Sequence, residues 1–444
     1  MRSTPVVITG MGTINPLGLT VSDLWSGLKN SQCAIDQIKA FDARGFACQL
    51  AGEVPAYKIR DYIPKSARKS AKLMSRDIEL AIIASMEAFK SAGITTRGID
   101  PDNVTLDPTR TAVNLGAGLI SCDLEELAPA VNASLVNNEF DLKEWGKHGI
   151  EHVTPLWLLK YLPNMLACHI SIIHDIQGPS NTITCAETSA LLSVIEAAKI
   201  IQRQAGDTAL AGGAEAKVNP IVMARQCLIK RSTTANDKPD QACRPFDEQA
   251  NGCVFGEAAG IVILEDRNRA IQRNAPVLAE IAGVGQSNCL NTDLKHLEPD
   301  GMGIQIAIEK ALDDADIAPE DLDLIIPHGT AIASDDLAEA TAIQTVLGEH
   351  INTVSVFPTK SMVSNSGAAS GAIDLITAIC AMQEGFIPGT RNCTKKAPGI
   401  TLNINTEPVH KTIKYALCCS YSYGTQTAAV IIKNPGNNLS QEAK

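Results

Sequence analysis

Gly178-Pro179-Ser180-Asn181-Thr182-Ile183-Thr184-Cys185-Ala186-Glu187-Thr188-Ser189, followed by an apolar run to Arg203, decides the fold. Gly-Pro breaks whatever precedes it. Asn181 to Thr184, rich in Thr and Ile, reads as a short strand. After Cys185 the period changes: Ala190, Leu191, Val194, Ile195, Ala198 and Ile201 recur at helical spacing, with Glu196, Lys199 and Gln202 opposite them. Cys185 therefore sits where a strand turns into a helix. Helix N–H groups and the positive end of the dipole stabilise a thiolate there. Most of the 13 cysteines are small hydrophobes by default. A strand-to-helix junction is the exception, because it presents a nucleophile at the end of a sheet.

The surrounding chain repeats an α/β pattern. A helix ends at Glu87 to Ile94, Asp100-Pro101-Asp102 follows, and the strand Thr111 to Leu115 runs into Gly116-Ala117-Gly118. The same order returns as helix Gly303 to Ala315, Pro319-Glu320-Asp321 and strand Leu324 to Ile326. The nucleophile helix has a counterpart in Ala368 to Met382. Strand Ala209 to Ala211 has one in Tyr415 to Cys419, and Gly260 to Leu264 is echoed by Ala428 to Ile432. Helix–strand–strand–helix–strand–strand thus occurs twice, which implies two fused copies of one α/β unit. The expected halves are 1–255 and 256–434. Residues 119–165 have no counterpart and form an inserted cap, and 435–444 is a polar tail. Val6 to Ile8 reads as a strand and Thr9-Gly10-Met11-Gly12 as a glycine turn. The dinucleotide pattern G-x-G-x-x-G is incomplete there, since Asn15 stands where its third glycine belongs.

Three strand ends carry polar groups in apolar surroundings: Pro327-His328-Gly329-Thr330, with Asp336 and Glu339 on the helix that follows; Thr359-Lys360-Ser361 through Asn365; and Ser420 to Gln426. Ligands of open α/β sheets collect at strand ends. A Cys nucleophile, a His, an Asn amide and a turn with N–H groups are the parts for acyl transfer through a thioester.

Ordered motifs make the resemblance specific: Thr9-Gly10-Met11-Gly12, Gly178-Pro179 to Cys185, Ala211-Gly212-Gly213-Ala214-Glu215-Ala216, Arg244-Pro245-Phe246-Asp247, Gly256-Glu257-Ala258-Ala259-Gly260, Pro299-Asp300-Gly301, His328-Gly329-Thr330 and Thr359-Lys360-Ser361-Met362. From Val6 to about Asn434 the chain resembles the β-ketoacyl-acyl-carrier-protein synthases of the I/II class, in the thiolase superfamily. The resemblance implies a five-layered αβαβα thiolase-like fold, a homodimer, and condensation of an acyl primer with malonyl-ACP. Cys185 matches the acyl-accepting Cys, His328 the first active-site His, Lys360 the buried Lys and Glu339 the Glu paired with it. The N–H groups of Cys185 and Tyr423 match the oxyanion hole.

Three departures stand out. The second active-site His is Asn365. The gating loop is Ser422-Tyr423-Gly424-Thr425, and Glu187-Thr188 replaces a small pair after Cys-Ala. A Cys-His-Asn set is similar to that of the type III synthases, which also decarboxylate malonyl groups, so a specialised lipid or polyketide pathway is the expectation. A non-condensing acyltransferase and a silent partner subunit like the chain-length factors are the alternatives. Retention of Cys185 disfavours the silent subunit.

Net charge is −11, which invites neither nucleic acid nor an anionic membrane. Within this field Lys65, Arg68, Lys69, Lys72 and Arg76 read as a basic patch at the start of a long helix, suited to an acidic carrier protein. A heterodimer with a related subunit is the other assembly. No apolar run reaches about 18 residues, so no membrane span is expected. Scattered free thiols and the lack of a signal peptide point to the cytoplasm. No Cys-x-x-Cys pair suggests a metal. No resident cofactor is expected, since phosphopantetheine arrives on the carrier protein.

Overall fold

The computed structural model describes residues 4–289, 291, 296–424 and 426–436. Its centre is a ten-stranded mixed sheet. The strands are β1 (Val6–Ile14), β2 (Thr111–Ala117), β3 (Ser180–Ile183), β4 (Thr208–Ala216), β5 (Glu257–Asp266), β6 (Ala279–Asn288), β7 (Leu324–Ile326), β8 (Ser355–Val356), β9 (Tyr415–Tyr421) and β10 (Gln426–Lys433). Among the helices that pack on them, six recur between the two halves: α1 (Arg76–Ser91), α2 (Met165–His174), α3 (Ser189–Gln202), α4 (Met302–Ala315), α5 (Ala333–Leu347) and α6 (Ser370–Glu384).

The spatial order is β3-β2-β4-β5-β1 joined to β6-β10-β9-β7-β8. Each half runs βαβαβαββ in sequence, with one more helix per unit, α2 and α5, than the sequence pattern showed. Within each half β2, β3 and β4, or β7, β8 and β9, pair in parallel, and the remaining pairs are antiparallel. The halves meet where β1 and β6 pair antiparallel through Val6–Ile281. The first unit ends with β5 at Asp266, beyond the 255/256 boundary expected from sequence, because β5 is the counterpart of β10.

Alternating side chains on each strand feed two different layers. Val113, Leu115, Ile261 and Ile263 face α1 and α2. Ala112, Ala209, Val262 and Leu264 face a central layer of α3 and α6, together with Val430 and Ile432 of the second half. Ala429, Ile431 and Leu417 face α4 and α5. The result is the expected five-layered thiolase-like arrangement. α6 is buried from Ser370 to Met382, as a helix apolar all round must be.

Gly10 and Gly12 lie inside β1 and not in a turn. A Cβ on either would strike α1, 2.4 Å from Ala88 O or 2.2 Å from Ala84 O. Gly283 and Gly285 of β6 meet Ala311 and Ala307 of α4 in the same way. In both halves a bulge precedes these glycines, between Ile8 and Gly10 and between Ile281 and Gly283. These paired glycines confirm the duplication, and they exist for close helix–sheet approach.

The insert holds a helix at Leu124–Asn132, a two-residue-per-strand hairpin (Leu135–Val136 with Glu139–Phe140) and a short helix at Leu142–Lys147. It lies between β2 and α2, and nothing corresponds to it between β7 and α5. Most of the tail, 437–444, falls outside the described residues.

Candidate active site

The catalytic candidates stand after the C-terminal ends of strands in both halves. Cys185 follows β3, His328 follows β7, Lys360 follows β8 and Tyr423 follows β9. The turn after Cys185 is sharp: Ala186 takes φ 49°, and residues Ala186–Thr188 form a 3-10 turn leading into α3. Thr188 N–H and Oγ1 donate back to the Cys185 carbonyl at 3.2 and 2.6 Å. The Cys185 N–H donates to Ser189 Oγ (2.9 Å), and that hydroxyl donates to Ala186 O (2.7 Å). One of the two expected oxyanion donors is therefore engaged. Cys185 is half-buried, and burial pushes its thiol up. A 3-10 turn stands between Cys185 and the start of α3.

His328, Lys360 and Asn365 are nearly inaccessible, at 1%, 1% and 2% exposure. Burial, then the Lys360, Arg231 and Lys217 cations, hold the His328 imidazole well below its usual range, so it is neutral at pH 7. Its ring meets the Tyr421 ring edge-on at 4.7 Å, and its Nδ1 is buried without a partner.

Lys360 Nζ pairs with Asp374 Oδ2 at 3.0 Å, both side chains being 1% exposed. Thr359 Oγ1 donates to the other carboxylate oxygen at 2.6 Å. Burial pushes Asp374 up against the pull of these two partners. The expected Lys360–Glu339 pair is not what forms. Glu339 accepts the N–H groups of His328 (2.7 Å) and Gly329 (2.8 Å), so its carboxylate shapes the histidine turn. Burial raises it to about 8. Asp336 secures the next residues, accepting from Thr330 N–H (2.8 Å) and Phe246 N–H (2.7 Å).

Asn365 has a fixed orientation. Its Oδ1 accepts from Gly367 N–H (2.9 Å) and Ser370 Oγ (3.1 Å). That leaves the NH₂ as a donor, and it reaches the Cys253 thiol. Lys360 and Arg231 act on both that thiol and His328, so imidazole and amide share one buried neighbourhood.

Glu187, noted in the sequence as a carboxylate near the nucleophile, has a cationic neighbour that sequence reading missed. Lys217 Nζ lies 3.9 Å from Glu187 and 3.1 Å from Glu215, all three buried. Burial pulls the Lys217 ammonium down, and the two carboxylates more than offset it. Glu215 also accepts the N–H of Ala368 at 2.7 Å, bracing the turn after Asn365. Gly367, at φ 56°, has no room for a Cβ beside Glu215 and Lys217. Asp374 was readable as the lone acid in the apolar run Ala372 to Ile376, and Lys217 as the charge directly after a glycine strand.

The basic patch is not helical until its end. Lys65–Ala67 and Ser70–Leu73 are 3-10 turns, and α1 begins at Arg76. Like charges three and four apart disfavour an α-helix there. Lys65, Arg68, Lys69 and Lys72 are exposed. Arg76 is exposed as well, but its guanidinium is tied to the buried Glu257 through two contacts of 2.5 Å. Thr425 of the expected gating loop lies outside the described residues, and Ser422 closes the turn by bonding Gln426 O at 2.9 Å. Among the described residues no group of His, Cys, Asp or Glu is arranged to hold a metal, and no helix is long and apolar enough to cross a membrane.

Comparison with known proteins accounts for this geometry. The profile of the beta-ketoacyl synthase N-terminal domain matches residues 3–270, and that of the C-terminal domain residues 278–394. The chain is 30% identical over 439 residues to 3-oxoacyl-[acyl-carrier-protein] synthase 2 of Vibrio cholerae serotype O1, covering 98% of this chain and 100% of that one. It is 32% identical over 432 residues to the protein of the same name from Staphylococcus aureus (strain N315), covering 96% and 98%. Among solved structures, the ishigamide ketosynthase/chain length factor superposes with a TM-score of 0.82 at 27% identity, covering 98% of this chain and 100% of that one. With both domain profiles matched and relatives of 30% and 32% identity covered almost end to end, the chain belongs to the β-ketoacyl synthases.

Proposed function

We propose that this synthase condenses a Cys185-bound acyl group with a malonyl thioester carried on acyl carrier protein, and that His328 and Asn365 jointly support decarboxylation. Cys185 Sγ attacks the acyl thioester carbonyl, the carrier thiol leaves, and an acyl-Cys185 thioester remains. The malonyl thioester then loses CO₂. The electron pair of the broken C–C bond becomes an enolate on the thioester oxygen, which needs hydrogen-bond donors. The resulting carbanion attacks the acyl carbonyl, and Cys185 leaves as thiolate and takes up a proton. These steps use side chains and carrier-borne phosphopantetheine, with no resident cofactor.

The observation that carries this reading is the locked Asn365 amide. With its carbonyl engaged twice, it can only donate. A neutral His328 supplies the second donor through one ring N–H. Glu339 and the Lys360–Asp374 pair hold the two turns in place. For acylation, the N–H groups of Cys185 and Tyr423 would serve the acyl oxyanion once the Ser189 hydroxyl turns aside, and Tyr423 screens the acyl pocket.

The names of the 3-oxoacyl-[acyl-carrier-protein] synthase relatives favour an acyl carrier protein as donor. Lys65, Arg68, Lys69 and Lys72 are its docking patch. Arg76, being held by Glu257, contributes little. Exposed apolar side chains in the insert, Leu119, Phe140, Leu142 and Leu158 among them, together with the exposed Ser180–Asn181 edge of β3, support burial of this face in a homodimer.

Peptide-level mass spectrometry after incubation with acyl carrier thioesters tests the first step. An acyl adduct on Cys185 that disappears in Cys185→Ala is expected. An adduct that persists in that variant contradicts the assignment.

A further inference from the structure

A thioester cannot reach His328 and Asn365 in this arrangement, because both are at most 2% exposed. Something must move to admit it, and one contact of a cation that acts on His328 joins three separate segments. The Arg231 guanidinium lies 4.8 Å from the centre of the Tyr423 ring. Arg231 Nη2 is anchored at 2.6 Å to Asp335, whose side chain is fully buried, and the Arg231 side chain is only 12% exposed. Asp335 belongs to α5, directly after the histidine turn. Glu187, two residues past the nucleophile, also acts on Arg231 electrostatically. One cation thus ties the nucleophile turn, the histidine turn and the turn after β9.

We propose that Arg231 is a positioning residue that clamps the Tyr423 ring over the buried His328–Asn365 pair, so that substrate gains access by breaking the Arg231–Tyr423 stack. A guanidinium suits the role. It offers a flat face to the phenol ring while its N–H fork stays on Asp335. Lysine would keep the charge but lose the stack. The inference rests on the synthase reading for what enters, and the mechanical link does not depend on the chemistry that follows.

The experiment is a double-mutant cycle on Arg231→Met and Tyr423→Ala. It is read by the rate of iodoacetamide alkylation at Cys185, resolved by peptide mass spectrometry, and by hydrogen exchange of the 415–424 peptide. Each single change is expected to speed both by about tenfold, the range of a desolvated cation–π contact. The double variant should match the singles, because one contact is broken either way. Tyr423→Phe keeps the ring, so alkylation at Cys185 and exchange of the 415–424 peptide should stay at wild-type rates. Arg231→Met strands the Asp335 carboxylate, so Arg231→Met with Asp335→Leu is run beside it to remove both charges. It should give the same acceleration. Independent, additive effects in the cycle, or unchanged exchange in the paired-charge variant, overturn the clamp. Neither readout needs condensation. A protein that shows the coupling but makes no β-ketoacyl product leaves the clamp standing and removes the synthase reading, and the reverse result does the opposite.

Discussion

Asn365 carries the chemistry that most distinguishes this chain at the scale of single residues. An amide donates at any pH, whereas a neutral imidazole must hold the right tautomer. We expect Asn365→Ala to lower malonyl decarboxylation by about two to three orders of magnitude, the cost of one oxyanion donor. Acylation of Cys185 should largely survive, because it uses other donors. An equal loss in both steps would show that the change damages the fold of the turn and not the enolate. Cys185, His328, Lys360 and Asn365 all drew notice in the sequence as polar groups in the segments that follow strands. Their partners were less so. Glu339 looked like the mate of Lys360, but a carboxylate already taken by two N–H groups has little left to offer, and Asp374 from the central helix takes the lysine. Which of two nearby acids is closer is a matter of helix rotation, and spacing alone does not fix that.

Among elements, the strands and helices fell close to where periodicity put them. β7 matches Leu324 to Ile326, and α4 and α6 lie within two residues of expectation. The errors have physical causes. Gly10 and Gly12 mimic a turn in sequence, but they serve helix contact in the middle of β1. Arg68, Lys69 and Lys72 were placed near the start of the long helix, with Lys65 before it, but this stretch holds two 3-10 turns and its charges are exposed. That exposure suits docking. Reversing two of these charges, as in Lys65→Glu with Lys69→Glu, should raise KM for acyl carrier protein and leave acylation by small pantetheine thioesters unchanged. KM of the wild type should also rise with salt, since exposed charges are screened within about 8 Å at physiological ionic strength. Equal losses with both donors would remove the patch from the docking surface.

For the whole molecule, duplication explains both stability and site. Each half supplies strand ends, and several acids lie deep enough for burial to raise them above the usual carboxylate range. Burial raises Glu339 to about 8, and Asp336 and Asp77 to about 7. Carboxyls raised above their unfolded values stabilise the fold fully below about pH 4, and that stabilisation is lost as pH rises through 7 and 8. Thermal stability should therefore decline between pH 6 and pH 9. Glu339→Gln, which removes one of these titrations, should flatten the decline whatever its absolute melting temperature. An unchanged slope would place the titration elsewhere. The assembly itself was suggested by the family and not by any pattern in the chain. Light scattering should report twice the 47.1 kDa chain mass.

The most direct measurement is CO₂ release, with intact-mass analysis of the carrier, when wild-type protein meets acyl-carrier and malonyl-carrier thioesters together. We expect CO₂ in step with a β-ketoacyl carrier product, and no β-ketoacyl product from Cys185→Ala. Ready acylation of Cys185 with no CO₂ from the malonyl carrier would contradict condensation and leave an acyltransferase on the same scaffold.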